Sequence, residues 1–508
     1  MRYHSAGFEL TNEGTVLMEL SKLINSIRAI SVTGEVERKD ISGIEYDSRK
    51  VRPGSVFVAI KGFATDGHKF IQQAISNGAV VIVVEDDNSI PNDLIKHSKL
   101  TKIFVENSRI ALAKLAHSYY KNPSDVIKMI GITGTNGKTT TTFIIKHVLE
   151  SLGHKTGLVG TIANYIGSGK IESSLTTPES SDLMKLLFDM RAAGCEYGVM
   201  EVSSHSLSLG RVSAIQFKGA LFSNITSDHL DFHGDFENYL AAKKILFDGL
   251  SESAFAVYNS DDPSSSRLIR ECKAEKIAYG RADSSAFRIS DIKFDMRGTT
   301  FNIHTNNVVY NVKVPLVGAF NAYNATSAFA ALVKLGINAD EAAKLLSSVP
   351  QVPGRFEIVN AGEKYAIVDY SHTADSLEKT LQNIREIVGN RHKVYTVFGC
   401  GGDRDATKRP VMGRIASELS DKVIITNDNP RNEDPDKIIA AIIDGVVKNN
   451  YKSIPDREMA IKYAVENSEK NAIILIAGKG HENYTIEKGV KSYFSDKETA
   501  IKYLGAEN

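Results

Sequence analysis

The amino-acid sequence predicts an α/β protein of three domains, and three observations support this prediction. The chain has 508 residues, which is room for about three domains of ordinary length. Short apolar runs alternate with helical segments along most of the chain, a pattern typical of parallel sheets covered on both faces. This alternation starts afresh twice, so we place the domains at 1–107, 108–352 and 353–508.

The first domain is predicted to be a small α/β unit. Three short apolar runs, at 41–46, 55–60 and 79–84, have the length and composition of strands. The segment 66–76 has the spacing of a helix and connects the last two of them. We assign no role to the roughly twenty residues that precede this unit.

The second domain is predicted to contain a parallel sheet around a glycine-rich turn. A helix at 110–120 comes first, then an apolar strand at 126–133 that leads through the turn into a helix at 138–152. The alternation continues with strands at 156–159, 197–202, 220–225 and 254–258 and helices at 236–247, 322–335 and 339–347. Unbroken apolar strands between helices indicate a sheet buried on both faces.

The third domain repeats this pattern and resembles a dinucleotide-binding fold. Its predicted strands are 365–368, 394–398, 423–426 and 472–476, and its predicted helices are 376–388, 412–419, 435–447 and 459–467. In open α/β sheets of this Rossmann-like type, ligands bind at the carboxyl ends of the strands. Most of the polar motifs described below follow such strand ends.

Composition excludes several classes of protein. Lys and Arg total 61 and Asp and Glu total 61, so a basic nucleic-acid-binding surface is disfavoured. There is no apolar run of the ~18 residues that a membrane-spanning helix needs, and Glu9 and Glu13 interrupt the N-terminus, unlike a signal peptide. Cys195, Cys272 and Cys400 are scattered, which fits a reducing compartment. We therefore expect a cytoplasmic protein with no nucleic-acid or membrane partner.

The turn after the first strand of the second domain has the chemistry of a phosphate-binding loop. Its residues are Gly134, Thr135, Asn136, Gly137, Lys138, Thr139 and Thr140. Glycines let backbone N–H groups surround phosphate oxygens at the positive end of a helix, Lys138 would reach the β- and γ-phosphates, and Thr139 would bind Mg²⁺. The spacing departs from the usual motif, since Ile132 precedes the first loop glycine. The alternative is a glycine-rich turn without a ligand.

Two further strand ends carry candidate metal ligands. Glu201 ends one apolar strand, and His229 follows another. A carboxylate and an imidazole at neighbouring strand ends suit Mg²⁺ or Mn²⁺ bound between protein and nucleotide phosphates. The alternatives are a solvated glutamate and a structural histidine. Lys243, which lies 243 − 229 = 14 residues after His229, has the chemistry of a cation on a helix surface.

Ten segments of the chain occur in the order expected of one enzyme family. They read TGTNGKTTT, LTTPE, MEVSSH, SNITSDHLDFHG, YLAAK, PGRFE, VDYSHTADSLE, FGCGGDRDATKRP, DNPRNEDP and AGKGHE. On these segments the chain, from about residue 41 to 503, resembles the Mur ligases, the ATP-dependent amide-bond-forming enzymes of peptidoglycan precursor synthesis. It is similar in detail to the members that add the third residue to UDP-N-acetylmuramoyl-L-Ala-D-Glu.

The resemblance implies a reaction and its catalytic residues. ATP would phosphorylate the D-Glu γ-carboxylate, and the amine of a diamino acid would attack the resulting acyl phosphate. Lys138, Glu201, His229 and Lys243 would be catalytic, with Lys243 carbamylated so that it presents a carboxylate. Thr139, Glu201, His229 and carbamylated Lys243 would hold Mg²⁺. Positioning and charge neutralisation would supply the acceleration.

The same resemblance assigns the nucleotide and sugar contacts. Asn321 and Asn324 would contact adenine, although Asn321 could also cap a helix, and His372 would help to position ATP. The first domain would bind the uridine nucleotide, with residues 61–66 lining the uracil. The UDP-muramoyl-dipeptide would contact Ser48, Thr176, Thr177, Ser203 and Arg211. For Arg211 the alternative is a surface ion pair, and Leu209 stands where the family often has Gln.

The third domain would bind the incoming amino acid. The matching residues are Arg404, Asp428, Asn429, Pro430, Arg431, Gly478 and Glu482. Arg431 offers a two-pronged guanidinium to the distal carboxylate of meso-2,6-diaminopimelate, which L-lysine lacks, and Glu482 can accept from the distal ammonium. The resemblance therefore favours diaminopimelate over L-lysine or another diamino acid.

Other interpretations of the motifs stay open at this point. A P-loop protein that uses its nucleotide only as a switch would bind nucleotide without amino-acid-stimulated turnover. A folylpolyglutamate-synthetase-like ligase would share the P-loop, but the segment 47–54 and Arg431 argue against it.

Ser371 and Ala374 replace residues common in the family, and both changes are mild. Asp375 could cap the predicted helix at 376. A monomer is the default expectation.

Overall fold

The computed structural model describes residues 17–62, 65–226, 228–389 and 391–506. Most of the unassigned N-terminal segment therefore lies outside the described residues, as do residues 63 and 64 of the segment expected to line the uracil. Contacts divide the chain into two compact units. Unit one runs to Ser285 and includes Ala330–Leu335, and unit two comprises Ala286–Phe329 and the chain from Gly336 onward.

Unit one begins with a small sheet. Its elements are β1 (Met18–Glu19), α1 (Leu20–Ile24), β2 (Ala29–Gly34), β3 (Asp40–Ile41), β4 (Gly43–Glu45), β5 (Ser55–Val58), α2 (Ile71–Ser76), β6 (Ala79–Val84), α3 (Asn92–Lys96) and β7 (Thr101–Val105). Five strands form a sheet in the order β2-β7-β6-β5-β4, and only β2 runs antiparallel to its neighbour. The predicted strand at 79–84 is confirmed as β6, whereas the sequence analysis missed β2 and β7.

The second sheet of unit one carries the glycine-rich turn. Its elements are α4 (Ser108–Tyr119), β8 (Lys128–Thr133), α5 (Lys138–Ser151), β9 (Thr156–Val159), β10 (Asn164–Ile166), β11 (Gly169–Ile171), α6 (Ser180–Ala192), β12 (Tyr197–Glu201), α7 (Ser204–Ser208), β13 (Phe217–Phe222), α8 (Leu230–His233), α9 (Phe236–Asp248), β14 (Phe255–Asn259), α10 (Ser265–Leu268) and β15 (Glu275–Gly280). The strand order is β11-β10-β9-β12-β8-β13-β14-β15. The six strands from β9 to β15 in this order are parallel, as predicted, whereas β10 and β11 form an antiparallel edge.

Strand register aligns the functional ends of this sheet. Glu201 pairs with Ile132, and Phe222 pairs with Thr133, so β8, β12 and β13 end at the same edge. The predicted strand at 220–225 is wrong at its C-terminal end, because β13 stops at Phe222. The residues after it leave the sheet to form hydrogen bonds with the glycine-rich turn. The register therefore brings three strand-end loops together.

Unit two starts with an antiparallel hairpin pair that the sequence analysis missed. Its first elements are β16 (Phe287–Asp295), β17 (Gly298–Thr305), β18 (Val308–Val314), α11 (Ala319–Lys334), whose last turn from Ala330 is counted with unit one, and α12 (Ala339–Leu345). β16 pairs antiparallel with β17, and β17 with β18. Buried and accessible residues alternate along β16, as expected for a strand with one covered face. This period of two departs from the continuous apolar runs used to predict the other strands.

The remaining elements form the open sheet predicted for the third domain. They are β19 (Glu357–Ala361), β20 (Lys364–Asp369), α13 (Ala374–Val388), β21 (Val394–Phe398), α14 (Lys408–Leu419), β22 (Lys422–Ile425), α15 (Pro435–Ile443), β23 (Tyr451–Ser453), α16 (Arg457–Asn467), β24 (Ile473–Ala477), β25 (Tyr484–Glu487), β26 (Val490–Tyr493) and α17 (Asp496–Leu504). The order is β19-β20-β24-β21-β22-β23, and all neighbours except β19 and β20 are parallel.

Both faces of this sheet are buried. In β24, Ile473 and Leu475 pack in the core that contains Leu381 of α13, whereas Ile474 packs in the core that contains Ile461 of α16. Successive strand residues point to opposite faces, so helices on both sides explain the unbroken apolar runs. Within the described residues, no helix has the length and apolar character needed to span a membrane.

Candidate active site

The turn after β8 has the backbone geometry expected of a phosphate-binding loop. Gly134 and Gly137 adopt φ angles of 147° and 87°, which non-glycine residues rarely reach. A Cβ on Gly134 would lie 2.0 Å from Ser223 Oγ, so close packing also requires glycine there. α5 begins at Lys138, directly after Gly137, and directs its N-terminus toward the loop. The predicted strand, turn and helix are therefore present in this order.

Residues after β13 hold the loop in its shape. The Thr135 N–H donates to the Asn224 carbonyl oxygen at 2.8 Å, and the Asn136 N–H donates to Asn224 Oδ1 at 3.1 Å. The Thr226 N–H donates to Thr135 Oγ1 at 3.0 Å. The sequence analysis did not single out Asn224. The sequence feature that could have identified Asn224 is its position, two residues after the end of an apolar strand that ends beside the loop.

Two lysines converge on one carbonyl oxygen of the loop. Lys138 Nζ donates to the Gly134 oxygen at 2.9 Å, and Lys243 Nζ donates to the same oxygen at 3.0 Å. Lys243 lies on α9 with its ammonium 4.4 Å from the centre of the Tyr239 ring, and it is only 1% exposed. The expectation of a helix-surface cation is therefore wrong. Burial, and then the charge of Lys138, lower the pKa of Lys243 well below its ordinary value.

Thr139 and Glu201 form the strongest candidate for cation binding. Thr139 Oγ1 donates to Glu201 Oε2 at 2.9 Å, and both residues are buried. The Thr161 N–H donates to Glu201 Oε1 at 2.8 Å and fixes the carboxylate. Glu201 is therefore not the solvated glutamate of the alternative interpretation. Hydroxyl and carboxylate oxygens are the ligands that Mg²⁺ prefers, so this pair fits a magnesium ion.

His229 lies in a cluster of aromatic rings. Its ring centre is 4.9 Å from that of His205, and the His205 centre is 5.6 Å from that of His233. Burial lowers the pKa of His229, and burial with the two neighbouring histidines lowers the pKa of His205 to about 4. Neutral imidazoles can bind metal, but the described residues contain no group of three or more His, Cys, Asp or Glu arranged to hold an ion.

The residues expected to bind the sugar substrate lie beside Glu201. Thr177 Oγ1 donates to the Glu201 carbonyl oxygen at 2.8 Å and lies 3.4 Å from Ser203 Oγ. Thr176 Oγ1 is 3.0 Å from Thr161 Oγ1, which also contacts the Glu201 carboxylate. The loops after β12 and before α6 therefore place three of the expected hydroxyl groups together.

Arg211 forms an ion pair, but not at the surface. Its Nε donates to Glu179 Oε1 at 2.7 Å, and its Nη1 donates to the Thr177 carbonyl oxygen at 3.0 Å. The two charged side chains are 14% and 11% exposed. Arg211 therefore orders the loop that carries Thr177.

Ser48 lies in the segment between β4 and β5 and is buried among polar side chains. Its Oγ donates to Gln73 Oε1 at 2.7 Å, and its carbonyl oxygen accepts from Asn77 Nδ2 at 2.8 Å. Asp47 accepts from the Arg49 N–H and its side chain, which closes the turn around Ser48. The structure thus orders this turn through contacts within the chain.

Asn321 and Asn324 form a buried amide pair on α11. Asn324 Nδ2 donates to Asn321 Oδ1 at 3.0 Å, and Asn321 Nδ2 donates to the Val317 carbonyl oxygen at 2.9 Å. Asn321 is the third residue of a helix that begins at Ala319, so the interpretation of Asn321 as the N-cap is wrong. Its amide instead reaches back to the chain before the helix.

Unit two contains a cluster of polar side chains after β22 and β24, which we call the amino-acid pocket after its predicted role. Asn429 Nδ2 donates to Glu482 Oε2 at 3.0 Å, and the Tyr370 hydroxyl donates to Glu482 Oε1 at 3.3 Å. A Cβ on Gly478 would lie 2.6 Å from Asp428 Oδ2, so glycine is required where these loops meet. Burial, and then Asp428, raise the pKa of Glu482. The structure brings four of the seven expected amino-acid-binding residues together here.

Arg431 is connected to this cluster through Gly402. Arg431 Nη1 donates to the Gly402 carbonyl oxygen at 2.7 Å, and the Gly402 N–H donates to the Asn429 carbonyl oxygen at 2.9 Å. Pro430 is buried between them, and a Cβ on Gly402 would lie 2.0 Å from its carbonyl oxygen. Arg404 is exposed on the loop after β21, outside the hydrogen-bonded network of the described pocket residues.

The segment after β20 has structural roles as well. Asp369 accepts from the Phe356 N–H at 2.7 Å, and His372 is exposed with Nδ1 2.9 Å from the Tyr370 carbonyl oxygen. α13 is capped by Thr373, which accepts from the Ser376 N–H, so the expected capping by Asp375 is wrong. Asp375 instead pairs with Lys379 on the helix surface.

Comparisons with known proteins agree with this geometry. Three family models match successive parts of the chain. They are the Mur ligase family catalytic domain at residues 40–120, the Mur ligase middle domain at 132–332, and the Mur ligase glutamate ligase domain at 354–480. The matched parts contain most of the small sheet, the glycine-rich loop and the loops after β21 and β22, in this order. The predicted three-domain α/β architecture is confirmed.

Two relatives match nearly the whole chain. It is 45% identical over 484 residues to the UDP-N-acetylmuramoyl-L-alanyl-D-glutamate--2,6-diaminopimelate ligase of Clostridium botulinum, covering 95% of this chain and 98% of that protein. It is 43% identical over 490 residues to ligase 1 of the same description from Clostridium acetobutylicum, covering 96% and 99%.

A solved structure described with the same ligase name also matches. It has a TM-score of 0.70 and 30% sequence identity, and the match covers 96% of this chain and 99% of that one. Sequence and fold therefore agree over nearly the full length. The chain belongs to the Mur ligase family of ATP-dependent ligases, in its MurE-type branch.

Proposed function

We propose that the protein adds meso-2,6-diaminopimelate to the D-Glu γ-carboxylate of UDP-N-acetylmuramoyl-L-Ala-D-Glu. The observation that carries this proposal is that Asn429 connects Glu482 to the loop that Arg431 contacts: Asn429 Nδ2 donates to Glu482, and the Asn429 carbonyl oxygen accepts from the Gly402 N–H, next to the Gly402 oxygen that Arg431 binds. A guanidinium for a carboxylate and a carboxylate for an ammonium match the two charged groups at the distal end of diaminopimelate. L-lysine would satisfy only Glu482.

The reaction needs two displacements. An oxygen of the γ-carboxylate attacks the γ-phosphorus of ATP, and ADP leaves, giving an acyl phosphate. The amine then attacks the acyl carbon, loses a proton, and the tetrahedral intermediate expels phosphate. The chain's contribution would be positioning and neutralisation of charge, with Lys138 and the N-terminus of α5 facing the phosphates.

Magnesium would neutralise the remaining phosphate charge. Thr139 and Glu201 fit a hard cation, and we propose them as its ligands together with His229. When bound, the ion would withdraw charge from the oxygens of the transferred phosphoryl group. Thr161, through its N–H to Glu201, keeps the carboxylate oriented.

Lys243 is proposed to act as a carbamate. Its side chain is fully buried beside the loop, next to Lys138, and such surroundings favour the neutral amine. A neutral amine adds to carbon dioxide and releases a proton, which replaces an ammonium by a carboxylate. Carbamylation would thus place a negative charge on Lys243 beside the cation of Lys138, and it would supply a further oxygen ligand for the magnesium ion.

The remaining proposed contacts are those with the sugar nucleotide and with ATP. We propose that Ser48, Thr176, Thr177, Ser203 and Arg211 bind the UDP-muramoyl-dipeptide, and that Asn321, Asn324 and His372 contact ATP. The buried amide pair of Asn321 and Asn324 offers both a donor and an acceptor. We also propose a cytoplasmic location, with which the three free cysteines agree, and a monomer.

A product assay tests the proposal. The purified protein is incubated with ATP, Mg²⁺, the UDP-muramoyl-dipeptide and meso-diaminopimelate, and both phosphate and the UDP-muramoyl-tripeptide are measured. We expect one phosphate for each tripeptide formed. Absence of phosphate release with every diamino acid would reject the ligase function. Release with L-lysine but not with diaminopimelate would reject only the role assigned to Arg431.

A further inference from the structure

Lys479 is a buried cation for which the proposed reaction provides no role. It follows Gly478 at the end of β24, and its side chain has no solvent exposure. Its Nζ donates to Asn429 Oδ1 at 3.0 Å and to the Tyr484 carbonyl oxygen at 2.8 Å, and it lies 3.5 Å from Asp428 Oδ1. The buried ammonium is therefore compensated by two hydrogen bonds and by the charge of Asp428.

This ammonium fixes the orientation of the Asn429 amide. Asn429 Oδ1 accepts from both Lys479 Nζ and the Ile486 N–H, each at 3.0 Å. A flipped amide would place its NH₂ group against two donors. The amide nitrogen must therefore face the other way, where it donates to Glu482 Oε2 at 3.0 Å.

The oriented amide in turn holds the Glu482 carboxylate. Glu482 is partly buried and also lies near the Asp428 carboxylate, and burial followed by that neighbour raises its pKa. Without the Asn429 donor, the carboxylate would lose a hydrogen bond to its charged form and could rotate away. Lys479 thus acts on Glu482 through one intervening side chain.

Lys479 also reaches Arg431 through the backbone of β25. It binds the Tyr484 oxygen at the start of the strand, and two residues later the Ile486 oxygen accepts from the Arg431 N–H at 2.9 Å. Arg431 has a φ angle of 53°, an unfavourable conformation for a non-glycine residue that its surroundings must maintain. One buried lysine therefore connects both side chains that are expected to select the amino acid.

We propose that Lys479 is a positioning residue for the amino-acid substrate, which aims Glu482 through Asn429 and holds Arg431 through β25. This inference rests on the proposed function of the pocket. In this scheme Lys479 sets the distance between Glu482, which would bind the distal ammonium, and Arg431, which would bind the distal carboxylate. Lys479 itself touches neither the substrate nor the reacting atoms in this scheme.

Substitution of Lys479 by methionine tests the proposal in the full-length enzyme. Methionine keeps a similar length but removes the donors and the charge. In phosphate-release kinetics, Lys479→Met should raise the KM for meso-diaminopimelate about tenfold or more. The KM values for ATP and the UDP-muramoyl-dipeptide should change by less than about twofold. An equal rise in all three KM values would overturn the proposal, because it would indicate general damage to the fold.

A double-mutant cycle separates positioning from simple stabilisation. In a Glu482→Ala background there is no carboxylate for Asn429 to aim, so Lys479→Met should have a markedly smaller effect on the KM for diaminopimelate than it has in the wild type. Equal factors in the two backgrounds would overturn the Glu482 arm of the proposal.

Lys102→Met is the matched control for burial. Lys102 is 1% exposed, and its Nζ donates to the Ile90 oxygen at 3.1 Å and Asn92 Oδ1 at 2.8 Å, but it belongs to the first sheet of unit one. The Lys102→Met variant should leave the KM for diaminopimelate unchanged. A comparable rise in this control would count against a specific role of Lys479.

A second variant decides the case where Lys479→Met does not fold. Asn429→Asp keeps Lys479 in place and puts a carboxylate oxygen, instead of an amide donor, opposite Glu482. It should raise the KM for diaminopimelate selectively, and an unchanged KM would overturn the proposal. If the wild type releases no phosphate with any diamino acid, the proposed function fails first and this inference fails with it.

Discussion

The phosphate loop of unit one and the amino-acid pocket of unit two are stabilised in different ways. The loop is held by backbone groups, by neutral side chains such as Asn224 and Thr135, and by two lysines that donate to the Gly134 oxygen. The pocket is held by buried charges that pair with one another, including Lys479 with Asp428 and Arg457 with Asp496. In the proposed function, the loop binds a ligand with several negative charges and the pocket binds a zwitterion.

This difference follows from what each ligand demands. A triphosphate brings enough charge of its own, so N–H dipoles, one lysine and a cation are sufficient to hold it. A diamino acid has both signs of charge at its distal end, and the pocket must keep opposite charges apart at a fixed spacing. Buried ion pairs provide that rigidity, although they add little to stability compared with apolar packing.

The largest expected effect is on phosphate chemistry. Lys138→Met removes the cation that lies within the loop, 2.9 Å from the Gly134 oxygen, and should lower kcat about 10²–10³-fold. The KM for diaminopimelate should change little. Lys146→Met, on the same helix but paired with Glu150, is the control and should retain nearly full activity. Equal losses in both variants would contradict a role in charge neutralisation.

The second prediction compares the loss of stability caused by removing a charged contact in the pocket with the loss caused by removing neutral contacts in the loop. Arg457 donates to both oxygens of Asp496 at 2.7 Å, and its Nη groups also bind the Asn427 and Ala477 oxygens, which precede the pocket loops. Arg457→Met leaves a buried carboxylate unpaired and should lower the free energy of unfolding by about 3–5 kcal/mol.

The counterpart in the phosphate loop is Thr135→Val. It removes only neutral hydrogen bonds and should lower the free energy of unfolding by about 1–2 kcal/mol. Urea unfolding followed by tyrosine fluorescence measures both variants, since the chain has no tryptophan. A larger loss for Thr135→Val would reverse the comparison drawn here.

A smaller effect concerns selection of the amino acid. Arg431→Leu removes the guanidinium expected to bind the distal carboxylate, and should lower kcat/KM for meso-diaminopimelate about tenfold to a hundredfold. Turnover with L-lysine should not fall in parallel, because lysine has no carboxylate there. Arg414→Leu, an exposed arginine on α14 paired with Glu418, serves as the control. A parallel loss with both amino acids would contradict the assignment.

The smallest effect is a pH dependence confined to the pocket. Burial raises the pKa of Glu482 above its ordinary value of 4.5, and only the ionised carboxylate attracts an ammonium. As pH falls through this raised pKa, Glu482 takes up a proton and the KM for diaminopimelate should rise. The rise should begin at a higher pH than for an ordinary glutamate and should be absent in Glu482→Gln. An identical profile in that variant would assign the pH dependence to another group.

The sequence predicted the phosphate loop better than the pocket. Gly134, Gly137 and Lys138 are contiguous, and their conformation is set by local backbone geometry between a strand and a helix. Lys479 and Asn429 are 50 residues apart, and Arg457 and Asp496 are 39 apart. Their pairing depends on strand order and on loop paths, which residue types alone do not specify.

The same reasoning explains the errors in the fold. β16 has one accessible face, so its apolar residues alternate with polar ones and escaped a search for continuous apolar runs. Lys243 was expected at a helix surface because lysine is seldom buried, and only tertiary packing places it against the Gly134 oxygen. Motif order identified the family, whereas the contacts between motifs required coordinates.

A crystal structure with meso-diaminopimelate bound tests the central claim most directly. We expect the distal carboxylate to accept two hydrogen bonds from the Arg431 guanidinium at about 2.7–2.9 Å, with the distal ammonium at a similar distance from Glu482. Arg431 would exchange its contact with the Gly402 oxygen for the ligand or share it. A distal carboxylate bound by other groups, with Arg431 and Glu482 both turned away from it, would contradict the account.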